Sequence, residues 1–172
     1  MVRTSAQTPS QLTMKRIATL FLQAVIVLIG IGTLALLLWE PNIEGRNVHS
    51  TLFEVYFKDP FLAYAYIASL SFFVALYQAF KVLGYVRQNK TFSPATVKAL
   101  RTIKYSSIAL VGFIVAPEVY LFIARPGDDI AGGVAVGLFL LFVFVVIATA
   151  AAMFERILQN AVDIKSENDL TV

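Results

Sequence analysis

The sequence has no cysteine and only one histidine, His49. Disulfide frameworks, thiolate metal sites and cysteine nucleophiles are therefore excluded, and a histidine-based metal site has no second imidazole to complete it. Charge is scarce as well, since Asp, Glu, Lys and Arg together make up 15% of the 172 residues, against 58% for hydrophobic residues. No repeat of fixed period, no phosphate-binding glycine loop and no pairing of a nucleophile with a base can be found. The chain is expected not to be an enzyme and to need no cofactor and no metal.

What is present in excess is hydrocarbon. With a mean hydropathy of +0.75, the chain carries more apolar side chain than a soluble domain of its length buries, so part of its solvent is lipid. A helix crosses a hydrocarbon core with about 20 mostly apolar residues. Four segments meet that requirement: 17–39, 60–80, 105–124 and 132–154. Lipid offers no partner to backbone N–H and C=O groups, so runs of this length close their hydrogen bonds internally as helices. They do not alternate as the strands of a membrane barrel would. The expected fold is all-α: a single integral membrane four-helix bundle over residues 1–172, with cytoplasmic extensions on helices two to four and residues 155–172 as a helix extension and tail. The first span follows Lys15 and Arg16 like a signal peptide, but its apolar stretch is too long, and it is expected to stay as an anchor.

The cations set the orientation. Of the 14 Lys and Arg residues, all but Arg46, Lys58 and Arg125 fall before span one, between spans two and three, or after span four. Positive residues are retained on the inner side, so both termini are expected to be cytoplasmic. This accounts for the basic isoelectric point without direct nucleic-acid binding, for which interleaved aromatics are also lacking.

Local signals mark the helix starts. Thr51 and Glu54 have capping-box spacing, with Phe53, Tyr56 and Phe57 on one side, which predicts a short helix at the outer surface, lying along the headgroups or covering the mouth of the bundle. Ser93 suits an N-cap and Pro94 a first helical position, with Phe92 placed to staple Val97. Beyond Met153 the spacing of Phe154, Ile157, Leu158, Ala161 and Ile164 predicts an apolar stripe that packs on another helix extension. Gly133 and Gly137 form a small-xxx-small pair, suited to packing within the bundle or to a homo-oligomer.

One carboxylate interrupts the hydrocarbon. Glu118 follows Pro117 and lies about 10 Å inside the outer boundary, counted from Arg125 at 1.5 Å per residue. Thr33, Ser69 and Gly137 fall near the same depth, and Tyr64, Tyr66 and Tyr120 reach it. Pro117 lacks an N–H and frees a carbonyl one turn earlier. A carboxyl at that depth points into the bundle. It is there either as a neutral hydrogen-bond donor in ordinary packing, or as the ionised wall of an outward cavity for a cation or an amine, or as a partner for Arg125. Glu118, Thr33, Tyr64 and Ser69 are the candidate ligand or ion site.

The segment "NKTFSPATVKALRTIKY" and the ending "ENDLTV", on a background of four spans, resemble the bacterial membrane-protein family catalogued as domain of unknown function 2975. The Phe-Ser and Leu-Arg elements are matched by Phe92, Ser93, Leu100 and Arg101, and the ending by Glu167, Asn168, Asp169, Leu170, Thr171 and Val172. Glu118 belongs to neither motif. The resemblance implies a four-helix protein of the bacterial inner membrane without an assigned activity, often accompanied by a small helix-turn-helix transcription regulator. Phe92, Ser93, Arg101, Glu167, Asn168, Asp169 and Leu170 are accordingly the candidate surface for such a partner, and the expected function is that of a sensor or tether. A small ligand- or ion-binding bundle around Glu118 is the alternative.

Overall fold

The computed structural model describes residues 9–43, 51–57, 60–124 and 131–170. They form five helices: α1 (Pro9–Ile43), α2 (Leu52–Phe57), α3 (Pro60–Arg87), α4 (Pro94–Ala124) and α5 (Ala131–Leu170). α1, α3, α4 and α5 are each long and apolar enough to cross a membrane, and no strand occurs among the described residues. The four spans of the sequence are all present, and all four helices outrun the segments predicted for them. That includes α1, which begins at Pro9, eight residues before the apolar stretch. His49, Arg46, Lys58 and Arg125 lie outside the described residues.

The helix starts follow the local chemistry. At α2, the Thr51 N–H donates to Glu54 Oε2 (3.2 Å) while the Glu54 N–H donates to Thr51 Oγ1 (3.3 Å), which is the reciprocal capping box. The Tyr56 hydroxyl then donates to the Leu38 carbonyl (3.0 Å) and fastens α2 to α1. At α4, Ser93 caps the helix through the Thr96 N–H, and the Thr96 hydroxyl reaches back to the Lys90 carbonyl (3.0 Å). Phe92 remains 59% exposed, whereas Val97 is buried in the core. α3 ends in a Schellman turn: Asn89 takes φ 57°, with the Lys90 N–H on the Tyr85 carbonyl (2.8 Å) and the Asn89 N–H on that of Val86 (3.2 Å). Asparagine tolerates this left-handed position better than most non-glycine residues.

Packing is uneven around the bundle. The largest interface joins α4 to α5, the next α3 to α4, and α1 lies along α3 without an extensive interface to α4 or α5. The core sits where the basic ends of α4 and α5 meet: Val97, Leu100, Ile103, Ala151 and Leu158, with Ala79, Val82 and Val162 against it. On α5 the buried stripe is thus Ala151, Glu155 and Leu158, with the half-buried Val162 continuing it, rotated from the apolar stripe that spacing predicted. Phe154, Ile157 and Ile164 are exposed at 57%, 49% and 60%, and of the five predicted stripe residues only Leu158 is buried in the core. The physical reason is Glu155, which enters the packed face because two cations neutralise it there.

Candidate functional site

Among the described residues, two places hold a carboxyl group within the packed bundle. The first is the turn of α4 around Pro117. Its missing N–H leaves the Phe113 carbonyl, four residues earlier, without a helical donor. Tyr64 of α3 supplies the donor: its hydroxyl bonds that carbonyl at 2.8 Å, and its ring meets the Phe113 ring edge-on, with centroids 5.5 Å apart. One residue past the proline, the Glu118 carboxyl fills the space that Gly137 of α5 leaves by having no side chain. A Cβ built on Gly137 would overlap a carboxyl oxygen and lie 2.6 Å from Glu118 Cδ. Glu118 Oε2 is buried and has no hydrogen-bond partner among the described residues.

Glu118 and Gly137, matched in depth by counting, are therefore in contact. Tyr64 serves the same turn of α4 through the backbone. Ser69 and Thr33 are placed differently: the Ser69 hydroxyl donates within its own helix to the Tyr66 carbonyl (2.7 Å), and Thr33 is half-buried on α1, which packs along α3. Tyr66 crosses to α1, donating to the Leu37 carbonyl (3.3 Å). Gly133, one turn before Gly137, has open space where a side chain would be. The proposed Glu118–Arg125 pair falls outside the described residues.

The second place is at the basic end. Glu155 is 7% exposed; its Oε1 accepts from Arg101 Nε at 2.6 Å and its Oε2 from Lys104 Nζ at 2.7 Å. The apolar run of α5 stops at residue 154, so the triad stands just beyond the hydrocarbon segment. The hydrogen bond from Lys104 does most to hold the Glu155 carboxyl below its ordinary value; burial pushes the other way, and Arg101 adds to the lowering. Glu155 in turn raises the Arg101 guanidinium. A pocket of about 300 Å³ opens beside the triad, lined by Lys104, Ala152, Glu155, Arg156, Gln159 and Asn160.

Sequence reasoning singled out Arg101 but missed Glu155. A signal was present: the small residues 148–152 mark a face suited to close approach, and Glu155 continues that face one turn after Ala151. Of the other partner-surface candidates, Phe92 is exposed and Ser93 is the helix cap. Glu167 and Asn168 are exposed on the last turns of α5, and Asp169 and Leu170 complete that helix.

The chain is similar in sequence to known proteins. A family model described as "Protein of unknown function (DUF2975)" covers residues 49–172. The chain belongs to this family. It is also 41% identical over 160 residues to a protein of Bacillus subtilis (strain 168), "Uncharacterized membrane protein YoaS", a match that takes in 92% of this chain and 100% of that relative. No solved structure matches. The family match begins just before α2, so α2 to α5, with both polar sites, are its content, and four apolar helices make this member a multi-pass membrane protein. Both motifs that suggested the family, at 92–101 and 167–172, lie within the matched residues.

Proposed function

We propose that this protein is a non-enzymatic membrane sensor or tether, with both termini in the cytoplasm of a bacterial cell, whose inner-membrane bundle presents a cytoplasmic docking face. That face is built from the start of α4 and the end of α5, and its partner is a small helix-turn-helix regulator. One observation carries the reading: α4 and α5 stay packed together beyond their apolar runs through Val97, Leu100 and Leu158, and yet Phe92, Phe154, Ile157 and Ile164 stay exposed beside them. A rigid paired extension with uncovered aromatic and aliphatic side chains is suited to helix-in-groove recognition. Deletion of residues 167–172 is expected to abolish co-purification of the regulator. Unchanged recovery with an unchanged melting temperature overturns the role of the tail.

A second reading rests on Glu118 Oε2, buried without a hydrogen-bond partner among the described residues. In it the carboxyl belongs to a small ligand- or ion-binding site near the outer surface, reached by opening the α4–α5 seam. Binding of a monovalent cation or a small amine by protein in proteoliposomes, lost in Glu118→Gln, supports this reading. Equal binding by wild type and variant removes it.

A further inference from the structure

α1 and α3 enclose a furrow on their lipid-facing side. Its inner part has a volume of about 440 Å³ between Gly30, Ile31 and Leu34 of α1 and Phe73 and Leu76 of α3. A second part of about 540 Å³ continues toward the basic end past Leu20, Ala24 and Arg87. Val27 and Phe80 line both parts, which makes them one continuous groove. Gly30 lets Leu76 of α3 approach α1 closely here, since a Cβ there would press to 3.3 Å from Leu76 Cδ2.

The groove is apolar along its length and cationic at its mouth. Gln23 borders it, but its amide nitrogen is engaged by the Phe80 carbonyl at 3.2 Å. Arg87 closes the end, is exposed, and makes no side-chain hydrogen bond or ion pair among the described residues. Lys81 stands nearby, 5.5 Å from the ring of Tyr77, which itself lines the groove. Neither helix of the groove carries an acid at this end: α3 contains no Asp or Glu, and the single acid of α1, Glu40, is at the opposite end. The acids of the basic end are carried by α5, which has no extensive interface with α1.

We propose that this groove binds an anionic phospholipid, with one acyl chain laid between α1 and α3 and the phosphate held at Arg87. From Leu34 to Leu20 the groove follows α1 for about 21 Å at 1.5 Å per residue, which is more than the roughly 15 Å depth of one leaflet. A chain entering from the basic face therefore finds apolar wall along its whole length. Water is a poor occupant, because a buried water needs two to four polar partners and this wall offers almost none. Basic pockets between membrane helices select anionic headgroups by charge, and the uncompensated Arg87 supplies that selection.

The test uses the full chain in nanodiscs of equal phosphatidylglycerol and phosphatidylcholine, released into native mass spectrometry to count retained lipid. Wild type is expected to retain phosphatidylglycerol at least fivefold over phosphatidylcholine. Arg87→Gln should bring that ratio close to one, and Arg87→Lys should restore most of it. Ala24→Phe fills the groove without altering charge, and it should lower retention of both lipids by several fold while the melting temperature shows the fold intact. An unchanged ratio in Arg87→Gln, or unchanged retention in Ala24→Phe, overturns the proposal. Excess inorganic phosphate is expected to leave retention unaltered; competition by free phosphate alone would assign the site to a soluble anion instead and overturn the lipid assignment.

Discussion

The Tyr64 hydroxyl takes the place of the N–H that Pro117 lacks: it donates to the Phe113 carbonyl at 2.8 Å, across from α3 to α4. In lipid an unpartnered carbonyl is costly, so the proline and the tyrosine form one unit. Tyr64→Phe is expected to destabilise the protein by about 1–3 kcal/mol, the usual cost of orphaning a buried polar group. Pro117→Ala restores the helical N–H, so in that background Tyr64→Phe should cost much less. Thermal unfolding of the four proteins in detergent measures the difference; equal losses in both backgrounds contradict the coupling.

The seat of Glu118 against Gly137 gives a second double-mutant test. Gly137→Ala puts a methyl group where the carboxyl now lies, and overpacking of this kind costs about 1–3 kcal/mol. In a Glu118→Ala background the same substitution should be close to neutral, because the obstructing group is gone. Melting temperatures in detergent report the outcome, and a full-size loss in both backgrounds would mean that α4 is not what Gly137 faces. For the same reason Gly137→Leu should reduce stability before it changes any oligomeric state.

Glu155 predicts an acid sensitivity. Its folded value is depressed, chiefly by Lys104, so the triad's contribution to stability is present above the carboxyl's ordinary value and is lost as pH falls through the depressed folded value. Between neutral pH and about pH 3, the melting temperature of wild type should therefore fall further than that of Glu155→Gln, which has no such proton to gain. At neutral pH Glu155→Gln should be the less stable of the two. Parallel curves for the two proteins would show that the triad contributes nothing measurable.

Because the chain has no cysteine, single introduced thiols report topology without background. Ser166→Cys, near the end of α5, should be blocked by a membrane-impermeant maleimide only after the cytoplasmic side is opened, and Gln88→Cys, between α3 and α4, should behave identically. Labelling of either in intact cells would place the docking face outside.

Much of the fold could be read from local chemistry. The starts at Thr51 and Ser93 were legible because capping depends on a few adjacent residues. The pairing of Glu118 with Gly137 was within reach because helical rise converts sequence distance into depth. Glu155 was legible only in part: it continues the face of Ala151, but periodicity scores a charge as facing water, and only Arg101 and Lys104 on a neighbouring helix make its burial tolerable. Tyr64 was half legible: Pro117 announced an acceptor, but three tyrosines reached that layer and only the assembled helices select one. Nor does the one-sided seating of α1 follow from its residues, which are apolar nearly all round and so mark no face for a neighbour.

That seating has a mechanical consequence. Held mainly along α3, and tied to α2 by Tyr56, α1 could swing across α3 without breaking the tight seam between α4 and α5. Such a swing would pull on the polar ties at either tip, Lys15 to Asn89 at one and Tyr66 to Leu37 near the other. The Lys15 tie ends on the turn that leads into α4, so a displacement of α1 would be passed to the start of α4.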